Sequence, residues 1–164
     1  RGLSDERHLS PCGGEVAPKH MSPRIAIEAP TEADIATIHA MLRETYWSPG
    51  IPREVVARAC ANSLCAIARD DAGKLIGFAR LVTDKATFAW LCDVIVLPGK
   101  QGRGLGRALV RTFREHPELQ GLRRWMLATR DAHSVYAPLG FVPLDAPERF
   151  MQIKNAAPYG TKAS

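Results

Sequence analysis

Cysteine is scarce, and its placement is unhelpful to a cross-linked or metal-bound fold. The four cysteines (Cys12, Cys60, Cys65 and Cys92) form no CxxC pair and have no histidine at zinc-finger spacing. A disulfide framework and a metal site are therefore not expected, and reduced thiols in a cytoplasmic protein are. No apolar run approaches the roughly 20 residues that cross a bilayer, and the first residues lack the basic-then-apolar order of a secretion signal. Internal repeats are absent too, which excludes solenoids and propellers. What is present is ordinary for a globular protein: 164 residues, 46% hydrophobic and 24% charged, enough for one domain and too little for two.

The formal charge is +5. Residues 1–20 carry Arg1, Arg7 and Lys19 against Asp5, Glu6 and Glu15, so the excess lies wholly in residues 21–164. It suits an anionic partner, of which nucleic acid is one and a phosphorylated cofactor another. No basic stretch is interleaved with aromatics, which argues against nucleic acid.

Residues 1–20 mix Pro, Gly, Ser and charge without apolar periodicity, and read as a disordered tail or a cloning remnant whose junction, His20-Met21, makes Met21 the expected native start. The single domain is expected over 21–164. Arg24-Ile-Ala-Ile-Glu28 alternates as a strand. Thr31 is a plausible N-cap for a helix carrying Ile35, Ile38, His39 and Leu42 on one face. Pro49, Gly50 and Pro52 interrupt the chain before a second helix over Arg53–Asn62. Leu64–Ala68 and Leu75–Val82 form a hairpin around Asp70-Asp-Ala-Gly73. Phe88–Leu97 is apolar on both faces except at Asp93, as a central strand is. A helix with Leu105, Leu109 and Phe113 on one face ends before Pro117. A strand over Arg123–Thr129, a short helix over Ala132–Ala137 and a last strand opening at Gly140-Phe-Val142 complete the order. This predicts an α/β domain with a mixed, mostly antiparallel sheet flanked by helices.

The chemistry concentrates where the central strand runs into Pro98-Gly-Lys-Gln-Gly-Arg-Gly-Leu-Gly-Arg107. Glycines let a backbone approach a ligand closely, and the first amides of the following helix are unpaired donors. With the helix dipole they suit a pyrophosphate. Arg103, Arg107, Arg111 and Arg114 add positive charge. The bland alternative is a sharp turn followed by a solvated basic helix. Two phosphate motifs are excluded by spacing. A dinucleotide fingerprint needs a third glycine where Arg107 or Leu109 stands, and a P-loop needs Gly-Lys-Ser/Thr in place of Leu105-Gly106-Arg107.

Val94-Ile-Val96, Pro98 and Gln101-Gly-Arg-Gly-Leu-Gly106 instead resemble the cofactor strand and pyrophosphate loop of the GNAT superfamily of N-acetyltransferases. Ala132-His-Ser-Val-Tyr136 followed by Gly140-Phe141 resembles that superfamily's A-x-x-x-Y-x-x-x-G-F segment, and the likeness extends over residues 24–154. Phe78-Ala-Arg80, Val82-Thr-Asp84 and Arg123–Thr129 resemble small bacterial members. The resemblance implies acetyl-CoA as cofactor. Val94, Ile95 and Val96 would offer a splayed strand edge to its pantetheine arm, and Gln101, Gly102, Arg103, Gly104, Leu105, Gly106 and Arg107 would hold its pyrophosphate. Tyr136 would sit near the thioester sulfur.

A thiol pKa of about 8.5 against about 10 for tyrosine makes full proton transfer uphill by roughly 2 kcal/mol, so Tyr136 is expected to act as a hydrogen-bond donor to developing thiolate. A free alkylamine is neutral in roughly one molecule per thousand at pH 7, a deficit of about 4 kcal/mol. Asp93 and His133 are the candidate bases. Asp93 is as readily structural as catalytic, and family members also work through ordered water. On the acceptor side Tyr46, Trp47 and Ser48 are candidates with Arg80, Thr83 and Trp90, either lining a pocket or anchoring their loop. Pro138 departs from the family pattern and should end the short helix early. The expected activity is acetyl transfer to a primary amine of a small molecule or protein. The alternative is a non-catalytic acetyl-CoA-binding module. A homodimer is compatible with such a domain, without residues that specify its interface.

Overall fold

The structure, a computed structural model, describes residues 23–160; the tail reading of residues 1–20 and the assignment of Met21 as a start lie outside them. Five strands form one sheet in the order β1-β2-β3-β4-β5: β1 Arg24–Ile27, β2 Leu64–Arg69, β3 Leu75–Thr83, β4 Phe88–Val96 and β5 Arg124–Met126. The first four are antiparallel neighbours, and β5 joins β4 in parallel. Helices α1 (Glu32–Leu42) and α2 (Arg53–Ala61) cover one face, α3 (Leu105–Arg114) covers the other, and α4 (His133–Tyr136) follows β5.

Each element follows from its residues. Thr31 caps α1 as expected: its Oγ1 accepts from the Asp34 amide at 3.2 Å, and the Asp34 carboxylate accepts from the Thr31 amide at 2.9 Å. This reciprocal box satisfies two otherwise orphaned donors. Ile35, Ile38 and Leu42 point from α1 into a core with Val56 and Cys60 of α2 and Cys65, Ile67, Phe78 and Ile95 of the sheet. On the opposite face the sheet offers small residues, Ala66, Ala68, Gly77 and Ala79, so α3 can approach closely with Leu105, Leu109, Val110 and Phe113. Phe113 and Leu109 are fully buried, each stabilising by about 1.5–3 kcal/mol. A Cβ at Gly77 would lie 3.1 Å from Leu109 Cδ1 and 3.3 Å from Leu105 Cδ2. The absent side chain thus sets the height of α3 above the sheet.

One unforeseen feature ties α1 to the β1–β2 edge of the sheet. Arg69, at the end of β2, donates to Glu28 at 2.7 Å and to both oxygens of Asp34 at 2.8 and 3.0 Å. Asp34 is almost fully buried, and its hydrogen bond to Arg69 holds its carboxyl down at about 2.

Two expectations about the C-terminal third need correction, and one about its short helix holds. The strand expected over Arg123–Thr129 is only Arg124–Met126, because β4 diverges beyond it. No strand opens at Gly140–Val142: Val142 is 81% exposed, and Pro143, next to it, has no amide to donate to a ladder. The short helix is confined to His133–Tyr136 and tightens into a 3₁₀ turn over Ala137–Leu139, the early stop expected of Pro138.

Candidate active site

Two irregularities of β4 build the site. β4 pairs with β5 only from Phe88↔Arg124 to Trp90↔Met126. Beyond Trp90 the strands splay, and Leu91–Val96 face no strand of the described residues on that side. On the other side the register with β3 shifts from Arg80↔Cys92 to Phe78↔Ile95, so Ala79 spans both Asp93 and Val94. This is a bulge, two residues against one, and it bends the strand at the splay. Asp93 adopts φ 53° there, the left-handed region that Asp tolerates better than most residues.

The Asp93 side chain is held from two directions. Its Oδ2 accepts from Arg80 Nε at 2.7 Å and its Oδ1 from the Trp47 indole at 3.2 Å. Arg80 also donates to Ser63 Oγ at 3.1 Å. Burial works against the Arg80 charge, and the neighbouring carboxylate outweighs it, so the guanidinium pKa is raised. Trp47, Arg80 and Asp93 line a cavity of about 200 Å³ with Ser48, Cys60 and Tyr159.

β4 ends in the glycine-rich loop. Gly102 and Gly104 have φ 76° and 75°, with open space where a Cβ would stand. α3 has no side-chain N-cap and no acidic residue in its first turn, so the amides and dipole there remain available to an anion. Gly106 packs over β4, where a Cβ would come within 3.9 Å of both Val94 and Val96. The splayed edge and the helix N-terminus are therefore contiguous. Leu105 contributes only backbone, its side chain being buried in the core. Gln101 Nε2 donates to the Val96 carbonyl at 3.3 Å. Arg103 is exposed at the loop. Arg107 reaches the Ser134 carbonyl at 3.3 Å and links α3 to α4. Arg114 is turned away and stacks 5.0 Å over Trp125.

Tyr136 ends α4, half-buried, with its ring edge-on to Phe141 at 6.0 Å. It borders a cavity of about 350 Å³ lined by Trp125–Thr129, His133 and Phe141. Burial first, and then the charge of neighbouring Tyr46, push its phenol above the ordinary value, so it is protonated at neutral pH. Tyr46 reaches this region from the α1–α2 connection: its hydroxyl accepts from the Arg130 amide at 3.1 Å, and Arg130 stacks 3.9 Å over its ring. Tyr46 and Trp47 meet edge-to-face at 4.9 Å. The connection thus touches both the Asp93 bulge and the segment before Tyr136.

Most of the sequence-chosen residues come together, but Thr83 does not. Its hydroxyl closes the β3–β4 turn on the Phe88 carbonyl at 2.6 Å, at the end of the strands away from the glycine-rich loop. Trp90 is the last β4 residue paired with β5 and marks the floor of the splay. His133 is exposed at the rim. Tyr159 has no signal in the sequence, because its Pro/Gly-bounded surroundings carry no periodicity. Among the described residues no cluster of His, Cys, Asp or Glu could hold a metal ion, and no helix is long and apolar enough to cross a membrane.

The chain is similar in sequence and in fold to known proteins. The family model for the acetyltransferase (GNAT) domain matches residues 61–143. A Gibberella zeae protein named as an acetyltransferase (FG08082) is 30% identical over 124 residues, 62% of this chain and 69% of that protein. The crystal structure of a Xanthomonas campestris protein belonging to the GNAT family aligns at a TM-score of 0.77 with 42% identity, over 85% of this chain and 99% of that one. The fold, though not the sequence, also matches the N-acetylglutamate synthase of Neisseria gonorrhoeae complexed with coenzyme A and N-acetyl-glutamate, at a TM-score of 0.59 and 22% identity over 73% of this chain and 28% of that one. The chain therefore belongs to the GNAT acetyltransferase family.

Proposed function

We propose that this chain is an N-acetyltransferase that moves the acetyl group of acetyl-CoA directly to a primary amine. The observation that carries the reading is the contiguity of a free strand edge at Val94–Val96, a capless helix start at Gly104–Gly106, and a protonated Tyr136 joined to that helix through Arg107 and α4. These residues fit acetyl-CoA: the edge would pair with the pantetheine amides as an added strand does, and the open left-handed glycines with the α3 amides and Arg103 would take the pyrophosphate. Bound there, acetyl-CoA supplies an activated thioester.

Tyr136 donates a hydrogen bond where thiolate charge develops, and its raised pKa makes it a donor rather than a full acid. Asp93, clamped by Arg80 and Trp47, is given a positioning role: it fixes the bulge and the Trp47 wall of the acceptor cavity. The amine proton then leaves to solvent. Cys92 neighbours Asp93, but burial pushes its thiol up to about 12. It is a poor nucleophile for an acyl-enzyme relay, which supports direct transfer. The acceptor's reactive end would occupy the cavity of about 200 Å³ behind Trp47.

Thiol release from acetyl-CoA across a panel of primary amines and amine-bearing peptides tests this reading. Tyr136→Phe should lower turnover roughly ten- to hundredfold, the worth of one hydrogen bond to a charged group, with acetyl-CoA affinity unchanged. Unchanged turnover would remove Tyr136 from the chemistry. Tight acetyl-CoA binding without thiol release on any amine would favour a non-catalytic binding module.

A further inference from the structure

The cavity behind Trp47 carries more hydrogen-bonding capacity than the described residues use. A guanidinium has five N–H donors. Arg80 Nε donates to Asp93 at 2.7 Å and Nη1 to Ser63 Oγ at 3.1 Å, while Nη2 donates to no described residue. No buried side-chain nitrogen or oxygen of the described residues lacks a partner. Nη2 must therefore face open space, and the open space that Arg80 lines is this cavity. The Tyr159 hydroxyl, on the same lining, likewise bonds to no described residue. Ser48 is already engaged, its Oγ donating to the Leu42 carbonyl at 3.1 Å. On the acceptor side, each Asp93 oxygen takes one hydrogen bond where it can take two.

Charge and size narrow the ligand that fits. Among the described residues the lining carries one cation, Arg80, and one anion, Asp93, which cancel. A lone carboxylate or a lone ammonium would leave a net charge in a mostly buried site, which is costly. A molecule bearing both leaves the site neutral, its carboxylate meeting the guanidinium fork and its amine meeting Asp93. The two protein charges touch at 2.7 Å, so the ligand's charges must lie equally close, as they do on a single carbon. An apolar cavity of about 150 Å³ takes a molecule the size of benzene, so this one of about 200 Å³ holds roughly eight non-hydrogen atoms. Leu42, Ile51 and Val56 give the remaining wall an apolar patch.

We propose that the acceptor is a small apolar α-amino acid, its carboxylate taken by Arg80 and Tyr159 and its amino group by Asp93. The proposal rests on the amine-transfer reading and names its substrate class. Asp93 adjoins Val94, where the free strand edge begins, so the amine stands beside the acetyl-CoA site. One ammonium proton passes to solvent. The nitrogen then bonds to the acetyl carbon as the thioester C–S bond breaks, and a second amine proton ends on the CoA thiolate.

Calorimetric titration of the CoA-loaded chain tests the ligand class without requiring transfer. L-alanine and L-valine are compared with their amides, with ethylamine and isobutylamine, and with the isomers β-alanine and 5-aminopentanoate. The α-amino acids should bind at one site about ten- to hundredfold more tightly than each analogue, the worth of a hydrogen bond to a charged group. The kcat/KM for thiol release from acetyl-CoA should follow the same order. Arg80→Gln should abolish the acid-over-amide preference. Tyr159→Phe, which removes one hydroxyl from a partly exposed side chain, should keep the wild-type circular dichroism and reduce that preference severalfold. Selective binding without thiol release would sink amine transfer and uphold the ligand class. Thiol release with no preference for the carboxylate would do the reverse. Absence of α-amino acid binding, equal binding of the isomers, or a preference that Tyr159→Phe and Arg80→Gln both leave intact also overturns the proposal.

Discussion

Replacing Asp93 by asparagine separates two roles that the residue type alone leaves tied. Asparagine tolerates φ 53° as aspartate does, and its side-chain oxygen can still accept from Trp47, so the bulge should persist. What disappears is the charge opposite Arg80. The side chains of Arg80 and Asp93 are only 17% and 12% exposed, and removing one partner of a buried pair costs about 3–5 kcal/mol. The residual exposure, the Ser63 contact and the retained amide oxygen reduce this to about 2 kcal/mol. Urea unfolding followed by tryptophan fluorescence should therefore show a lower midpoint with an unchanged slope. Arg80→Gln on the Asp93→Asn background should cost less than on wild type, a coupling of about 1 kcal/mol or more. Turnover should fall less than tenfold, and the shape of its pH profile should not change, because a positioning residue moves no proton. A general base would behave otherwise, with a loss of about 10²–10⁴-fold and a missing acidic limb. That kinetic result, with stability intact, would refute the positioning role.

Gly77→Ala should lower stability by about 1–3 kcal/mol, the penalty for an overpacked core, since its Cβ meets Leu109 at 3.1 Å; a thermal melt at the wild-type midpoint would contradict the tight α3–sheet contact. Asp34 titrates at about 2 in the folded chain against an ordinary 3.8. Its depressed pKa adds stability above the ordinary value, and this is lost as pH falls from about 4 towards 2, amounting to about 2 kcal/mol. Arg69→Met should flatten that acid limb, and denaturation midpoints measured across this pH range check it.

The legibility of the sequence differed along the chain for physical reasons. Thr31, Ile35, Ile38 and Leu42 specify α1 locally, and β2 to β4 are long runs with clear turns, so these were readable. The glycine-rich loop was readable because left-handed glycines at 102 and 104 and a capless helix start have few other uses. Asp93 stood out as a polar residue in an apolar strand, but its partners were invisible: Trp47 lies 46 residues away, and only the folded sheet brings Arg80 opposite. The Arg69–Asp34–Glu28 network was hidden in the same way. The last third is the least legible, because Gly140-Phe-Val142 looks like a strand, while β pairing depends on a neighbour that local pattern does not supply.

The proposed activity stands on an acetyl-CoA site formed by the splayed edge of β4 and the start of α3. Calorimetric titration of the full chain with acetyl-CoA, with free CoA alongside, addresses it most directly. Both ligands should bind at one site per chain, weakened about tenfold or more by Arg103→Glu and by a side chain forced into the left-handed turn at Gly104→Val. Absence of binding at substrate-like concentrations, or binding that both variants leave untouched, would contradict it.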